Sequence, residues 1–98
     1  MAKSPYTKRT WSEKRLSEIL PTINSKIIFD DPWTRARFEM FTRSLTTFLA
    51  HPEDEVEEAY MIGLGTRIRR WIDFTPSDYV VELLEQSLKH LRRKFPNA

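Results

Sequence analysis

The sequence predicts an all-α fold, a compact four-helix bundle-like single domain with a short basic N-terminal arm. Three observations carry this expectation. Helix-start grammar recurs at Thr10-Trp11-Ser12-Glu13, at Asp31-Pro32 and at Thr75-Pro76. Between these starts the apolar residues return at spacings of three and four, the signature of one buried helix face. Only two glycines occur in 98 residues, and the Gly- and Pro-bounded short runs of an all-β protein are missing.

In chain order, residues 1–9 place Lys3, Lys8 and Arg9 around Ser4-Pro5 and read as a flexible basic arm. Thr10 and Glu13 then match the S/T-x-x-E capping box, which opens a helix over about 11–20. Leu16, Ile19 and Leu20 form its apolar face. Pro21 ends it, because proline has no N–H to donate and its ring crowds the preceding turn. Trp11 falls off that face, so it packs against a neighbour or stays partly exposed. Residues 21–31 read as a buried connector. The β-branched Ile27-Ile28 favours an extended piece, a further helical turn stays open, and one short strand has no evident partner.

Asp31 is the expected N-cap and Pro32 the first residue of a second helix over about 32–50. Phe38, Phe41, Leu45, Phe48 and Leu49 share its core face. Trp33, Ala36 and Met40 make a weaker apolar strip on another side, with Arg37 beside it. That strip either packs against the first helix or faces a partner. His51-Pro52 breaks the chain, and a third helix is expected over about 52–74. Its charge order suits the helix dipole. Glu53, Asp54, Glu55, Glu57 and Glu58 crowd the start, and Arg67, Arg69 and Arg70 the end. Val56, Tyr60, Leu64, Ile68, Trp71 and Ile72 share one broad arc of the wheel. Arg67 falls within that arc, so its guanidinium must snorkel, find a carboxylate or serve a ligand. Gly63 and Gly65 each cost a helix interior about 0.8–1 kcal/mol, which predicts a close helix contact, a kink or a break. GLG is no nucleotide fingerprint, since it lacks a third glycine and follows no strand. Thr75 as N-cap with Pro76 at the first position starts a fourth helix over about 76–94. Val80, Leu83, Leu84, Leu88, Leu91 and Phe95 form its core stripe, and a Glu85–Lys89 pair suits its surface.

Composition narrows the function classes. With 40% hydrophobic and 12% aromatic residues the chain belongs to the globular class and not to the disordered one. The absence of cysteine removes disulfides, thiolate catalysis and the usual zinc sites, and fits a reducing compartment. No apolar leader and no membrane span is readable, so a cytoplasmic protein is expected. The net charge of +2 hides an asymmetry: residues 1–29 carry six cations against two acids, and residues 51–74 three cations against six acids. His51 and His90 lie on different elements with no catalytic motif around either. No enzyme, cofactor, metal or small-molecule substrate is implied.

Binding remains. The first expectation is a small helical adaptor, inhibitor or accessory subunit that works by protein–protein contact, homo-oligomerisation included. Its candidate residues are Trp33, Arg37 and Met40, because Trp and Arg concentrate at binding hot spots. The alternative is binding of a nucleic-acid backbone through Lys8, Arg9, Arg67, Arg69, Arg70, Lys89, Arg92, Arg93 and Lys94, as an accessory subunit of a nucleoprotein, for example RNA-guided, complex. That alternative requires cations of separate helices to converge on one face. Neither of the last two helices has a free polar face for reading bases, so a sequence-specific helix-turn-helix is not expected.

Overall fold

A computed structural model describes residues 11–75 and 77–98. Four α-helices are built there: α1 (Glu13–Ile19), α2 (Pro32–Ala50), α3 (Glu58–Phe74) and α4 (Asp78–Lys94). A 3₁₀ helix (Leu20–Lys26) joins the first two. The expected arm at residues 1–9 lies outside the described residues.

The helix starts differ from expectation wherever two capping residues competed. Ser12 caps α1, its Oγ accepting from the Arg15 N–H at 3.1 Å. The helix therefore begins at Glu13 and not at 11. Thr10 lies outside the described residues. Pro21 ends the α-geometry but not the helical run. Without its N–H the chain tightens into 3₁₀ turns, held by the Thr22 hydroxyl donating to Ile19 O at 2.6 Å and Ser25 to Thr22 O at 3.0 Å. The connector is thus helical through Lys26 and extended from Ile27. It is buried only in part: Leu20 and Ile23 are fully covered, whereas Ile28 is 96% exposed.

Asp31 caps α2 as expected. It accepts from the Thr34 N–H at 2.7 Å and the Thr34 hydroxyl at 2.9 Å, with Pro32 at the first position. These bonds, the Thr34 backbone N–H foremost, favour the ionised form and hold the Asp31 carboxyl below its ordinary value.

Helix α3 begins at Glu58, six residues later than the expected 52. Pro52–Asp54 instead form a turn closed by the Asp54 N–H on His51 O at 3.2 Å. Helix formation there would stack five like charges within two turns and cover no apolar surface. It begins where Met61 and Leu64 first reach the core. The core arc of α3 is correspondingly rotated. Met61, Leu64, Gly65 and Ile68 are buried, Trp71 and Ile72 half-buried, and the expected members Val56 and Tyr60 face solvent.

Ser77, not Thr75, caps α4, accepting from the Val80 N–H at 3.4 Å, so the helix starts at Asp78 and not at 76. Thr75 is committed backward. Its N–H and hydroxyl both donate to Trp71 O, at 2.9 and 2.6 Å, and close the end of α3.

The core is contributed by every helix: Leu16 from α1, Phe38, Phe41, Leu45 and Leu49 from α2, Met61, Leu64 and Ile68 from α3, and Val80, Leu83, Leu84 and Leu91 from α4. Burying one such side chain stabilises the fold by about 1.5–3 kcal/mol. Of the stripe expected in α4, Leu88 and Phe95 sit half-buried at its margin. Helix α1 packs chiefly on α2, and α3 on α4. The two pairs meet at an aromatic cluster in which the Phe38 ring lies 4.9 Å from Trp71, 5.3 Å from Phe29 and 5.9 Å from Phe41. The radius of gyration, 13.2 Å, is that of a compact domain of this length.

Trp11 is buried, which settles its expected alternatives. A polar ladder on α4 fixes it. Its backbone N–H donates to Gln86 Oε1 at 3.4 Å and its backbone carbonyl accepts from His90 Nε2. Gln86 in turn donates to Glu82 at 3.1 Å. The glycines have different reasons. A Cβ on Gly65 would lie 2.8 Å from the Ala98 carbonyl carbon, so Gly65 lets residue 98 seat on α3. A Cβ on Gly63 would meet nothing within 4 Å. Among the described residues the one ion pair is the exposed Arg35–Glu39 at 3.6 Å, and Glu85 and Lys89 do not form one. None of the described helices is long and apolar enough to cross a membrane.

Candidate functional site

The strip Trp33–Arg37–Met40 does not pack against α1. Trp33 is 71% exposed and Met40 68%, and Ala36 and Arg37 are exposed with them. Capping dictates part of this. Asp31 and Pro32 fix the first turn of α2, and with Phe38 and Phe41 turned inward, residues 33, 37 and 40 are left on the outer side. The Arg37 guanidinium lies over the Trp33 indole, 5.7 Å from its centre, so the two form one composite surface.

Across from this strip stands the second half of α3. Trp33, Thr34, Arg37, Met40 and Phe41 of α2 and Arg67, Arg70, Trp71 and Phe74 of α3 line a groove of about 400 Å³. Phe41 and Trp71 are stacked at its floor, ring centres 6.1 Å apart. Phe74 is 72% exposed on its edge, 6.3 Å from Trp71. The walls are therefore apolar and the rim carries three guanidiniums.

Arg67 resolves its three expected fates in part. It is half-buried, its guanidinium lies over the Tyr60 ring 5.8 Å from the centre, it contributes to the groove lining, and it pairs with no carboxylate among the described residues. Sequence reasoning separated Arg67 and Arg70 from Trp33, Arg37 and Met40, and overlooked Phe74. The signal for Phe74 was present, since it follows Arg70 by four residues and Arg67 by seven, on the same side of the helix, and lies off the core arc.

The remaining cations do not join them. Arg69 points away, donating to Ala98 O at 2.9 Å and to Thr66 Oγ1 at 3.4 Å. Lys94 donates to the Pro52 carbonyl and lies over the Phe95 ring. Lys89, Arg92 and Arg93 are exposed on α4, whose end meets the start of α3 through Asn97 and Glu58 at 3.5 Å. Arg70 lies twelve residues along α3 from Glu58, about 18 Å down the axis. The cations thus form two groups, and the α4 group stands beside the acidic segment 53–58. Lys8 and Arg9 lie outside the described residues.

The five acids of that segment are all exposed, and among the described residues no group of His, Asp and Glu is arranged to hold a metal ion. His51 caps α2 through its N–H, while His90 holds Trp11. A second recess, lined by Asn24, Thr42, Arg43 and Thr46 among others, is polar, and Asn24 and Thr42 satisfy one another across it.

No protein-family model matches this chain, and neither a curated protein nor a solved structure is significantly similar to it.

Proposed function

We propose that this chain is a non-enzymatic helical binding module, an adaptor, inhibitor or accessory subunit of a larger assembly, that takes a protein partner on the α2–α3 groove. One observation carries the reading: three large apolar side chains, Trp33, Met40 and Phe74, stand around a preformed aromatic floor while each is about 70% exposed. Scattered exposed apolar residues are ordinary, but a contiguous patch with a polar rim is a contact surface. Tryptophan and arginine are the side chains whose truncation costs interfaces most. The experiment is capture of interacting proteins on the immobilised chain, with Trp33→Ala and Arg37→Ala beside the wild type. Both variants are expected to lose capture while keeping their helical circular dichroism, because neither side chain is buried. Unfolding of both would mean that the strip serves the core and not a partner.

The three arginines of the rim give the nucleic-acid reading its specific support. A phosphate backbone needs a continuous cationic track, and the acidic segment separates the α4 cations from this rim. Protein contact is therefore preferred. Fluorescence anisotropy with labelled DNA and RNA at two salt concentrations discriminates the two: steeply salt-dependent binding lost in Arg67→Glu/Arg70→Glu would reverse the preference.

A further inference from the structure

We infer that the segment which seats in the α2–α3 groove is acidic: a short stretch of a partner protein in which Asp or Glu residues flank one bulky apolar side chain. This rests on the reading of the groove as a protein-contact surface and adds the chemistry of its occupant.

The whole chain is close to neutral, with 16 Lys and Arg against 14 Asp and Glu. The groove is not. Its lining holds Arg37, Arg67 and Arg70 and no acid. Residues 1–10 and 76, outside the described ones, contain no Asp or Glu that could come to it. The local excess of three cations thus exceeds the +2 of the entire chain. A cleft that carries one sign of charge over an apolar floor focuses its field outward, because the floor screens poorly. Such a field selects an anion. The three guanidiniums are also available to one. Arg37 lies over the Trp33 ring and Arg67 over the Tyr60 ring. Stacking occupies the face of a guanidinium and leaves its N–H edge. Among the described residues none of the three edges donates a hydrogen bond or meets a carboxylate, whereas their neighbours Arg69 and Arg35 are engaged, by Ala98 O and Glu39. That fork of donors matches a carboxylate in two parallel bonds.

Length and floor supply the rest. From Trp33 to Met40 along α2, and from Arg67 to Phe74 along α3, each wall runs about 10 Å. That is about two turns of a helix or about three extended residues, so the segment is short. The stacked Phe41 and Trp71 at the floor, ringed by exposed Trp33, Met40 and Phe74, call for one large apolar side chain between the acids. Charge excludes the chain's own arm, since residues 1–10 carry Lys3, Lys8 and Arg9 and no acid. Free phosphate fits poorly, because Arg37 and Arg67 stand on opposite walls, each over a ring of its own helix, and do not gather on one point. A nucleic-acid backbone needs a cationic track that continues, and this one stops after about 10 Å.

The test is selection from a displayed library of random dodecapeptides on the immobilised full chain in low salt. Wild type should enrich peptides with Asp or Glu around a Trp, Phe or Leu. Synthetic copies should bind by fluorescence anisotropy with a micromolar Kd that weakens about 10-fold or more in high salt. Arg37→Glu/Arg70→Glu reverses one exposed charge on each wall, so its helical circular dichroism should persist. It should bind the acidic peptides about 100-fold or more weakly and enrich Lys and Arg peptides in their place. Arg92→Glu/Arg93→Glu makes the same change of net charge on the exposed end of α4 and should keep the acidic peptides. If the groove reversal fails to fold, Arg70→Gln carries the test with a loss of about 10-fold. Selected peptides without acid enrichment overturn the inference, as does an empty selection. So does an equal loss in the α4 reversal, which would reduce the attraction to net charge. RNA or inorganic phosphate that displaces a selected peptide at constant ionic strength overturns it in favour of a phosphate site. Self-association of the wild type in sedimentation, lost in the groove reversal, overturns it in favour of a second copy. Acid-free peptides that still need Trp33 overturn this inference alone and leave the binding-module reading standing, whereas peptides indifferent to Trp33→Ala overturn both.

Discussion

Alanine should act in opposite directions at two glycines of the same helix. Replacing an interior helical glycine by alanine gains about 0.8–1 kcal/mol from the backbone alone. At Gly63 nothing opposes this gain, because the new Cβ meets no atom within 4 Å. Gly63→Ala should therefore raise the melting temperature by about 4–8 °C for a domain of this size. At Gly65 the same Cβ lies 2.8 Å from the Ala98 carbonyl carbon and 3.1 Å from its Cβ. Backbone cannot yield as the tip of a side chain does, so residue 98 must leave its seat. The Arg69 bond to Ala98 O leaves with it, and a hydrogen bond to a charged group contributes about 1.5–3 kcal/mol. Set against the helical gain, Gly65→Ala should lose about 0.5–2 kcal/mol net. Urea and thermal unfolding followed by circular dichroism, at a concentration that keeps the chain monomeric, measure both. In an Arg69→Ala background the Gly65→Ala penalty should shrink, because the bond it breaks is already absent. If Gly65→Ala stabilised as much as Gly63→Ala, residue 98 would not be packed on α3 and the argument would fail.

Three further outcomes are expected. Phe38→Ala removes the ring that touches Phe29, Phe41 and Trp71 and should cost about 3–5 kcal/mol in urea unfolding, a large part of a small domain's stability. Gln86→Leu takes the acceptor from the Trp11 backbone N–H and the donor from Glu82 at buried positions, and should cost about 1–3 kcal/mol by the same assay. Asp31→Ala should lower the melting temperature at neutral pH. Because the folded-state carboxyl titrates below its ordinary 3.8, the Asp31 contribution is complete above that pH and fades as the pH falls through the lower folded value. A scan of melting temperature against pH should show wild type and variant converging only at the acid end.

The second helix was legible in full because its start signal is local. Asp31-Pro32 has no competing cap, and a caps-and-stripe argument needs nothing from elsewhere in the chain. The third helix was misplaced at its start because proline followed by acids is the right grammar for a helix N-terminus. What overrode it was tertiary, since no residue before Met61 has a core to enter. At Thr75 and Ser77 two good caps stood side by side, and the winner depended on Thr75 being used by the preceding helix. The candidate site was half legible. Trp33, Arg37 and Met40 betrayed themselves by lying off a strong core stripe. That Arg67, Arg70 and Phe74 complete the same groove depends on how α2 and α3 lie against each other, which no local pattern encodes. The ladder Glu82–Gln86–His90 has a helical spacing of four that could have been read as a buried face, but polar residues at that spacing usually mark a solvated one.

The groove has one wall from each helical pair, α2 from the α1–α2 pair and α3 from the α3–α4 pair. Native-state exchange commonly resolves such pairs as separate opening units. The Phe29–Phe38–Trp71 cluster is then the hinge-side fastening between two units, and the groove is the open side of their joint. Whatever seats there grips both units at once. Its binding should slow amide exchange throughout α1 and α4, which it never touches, as well as in the two helices that it does.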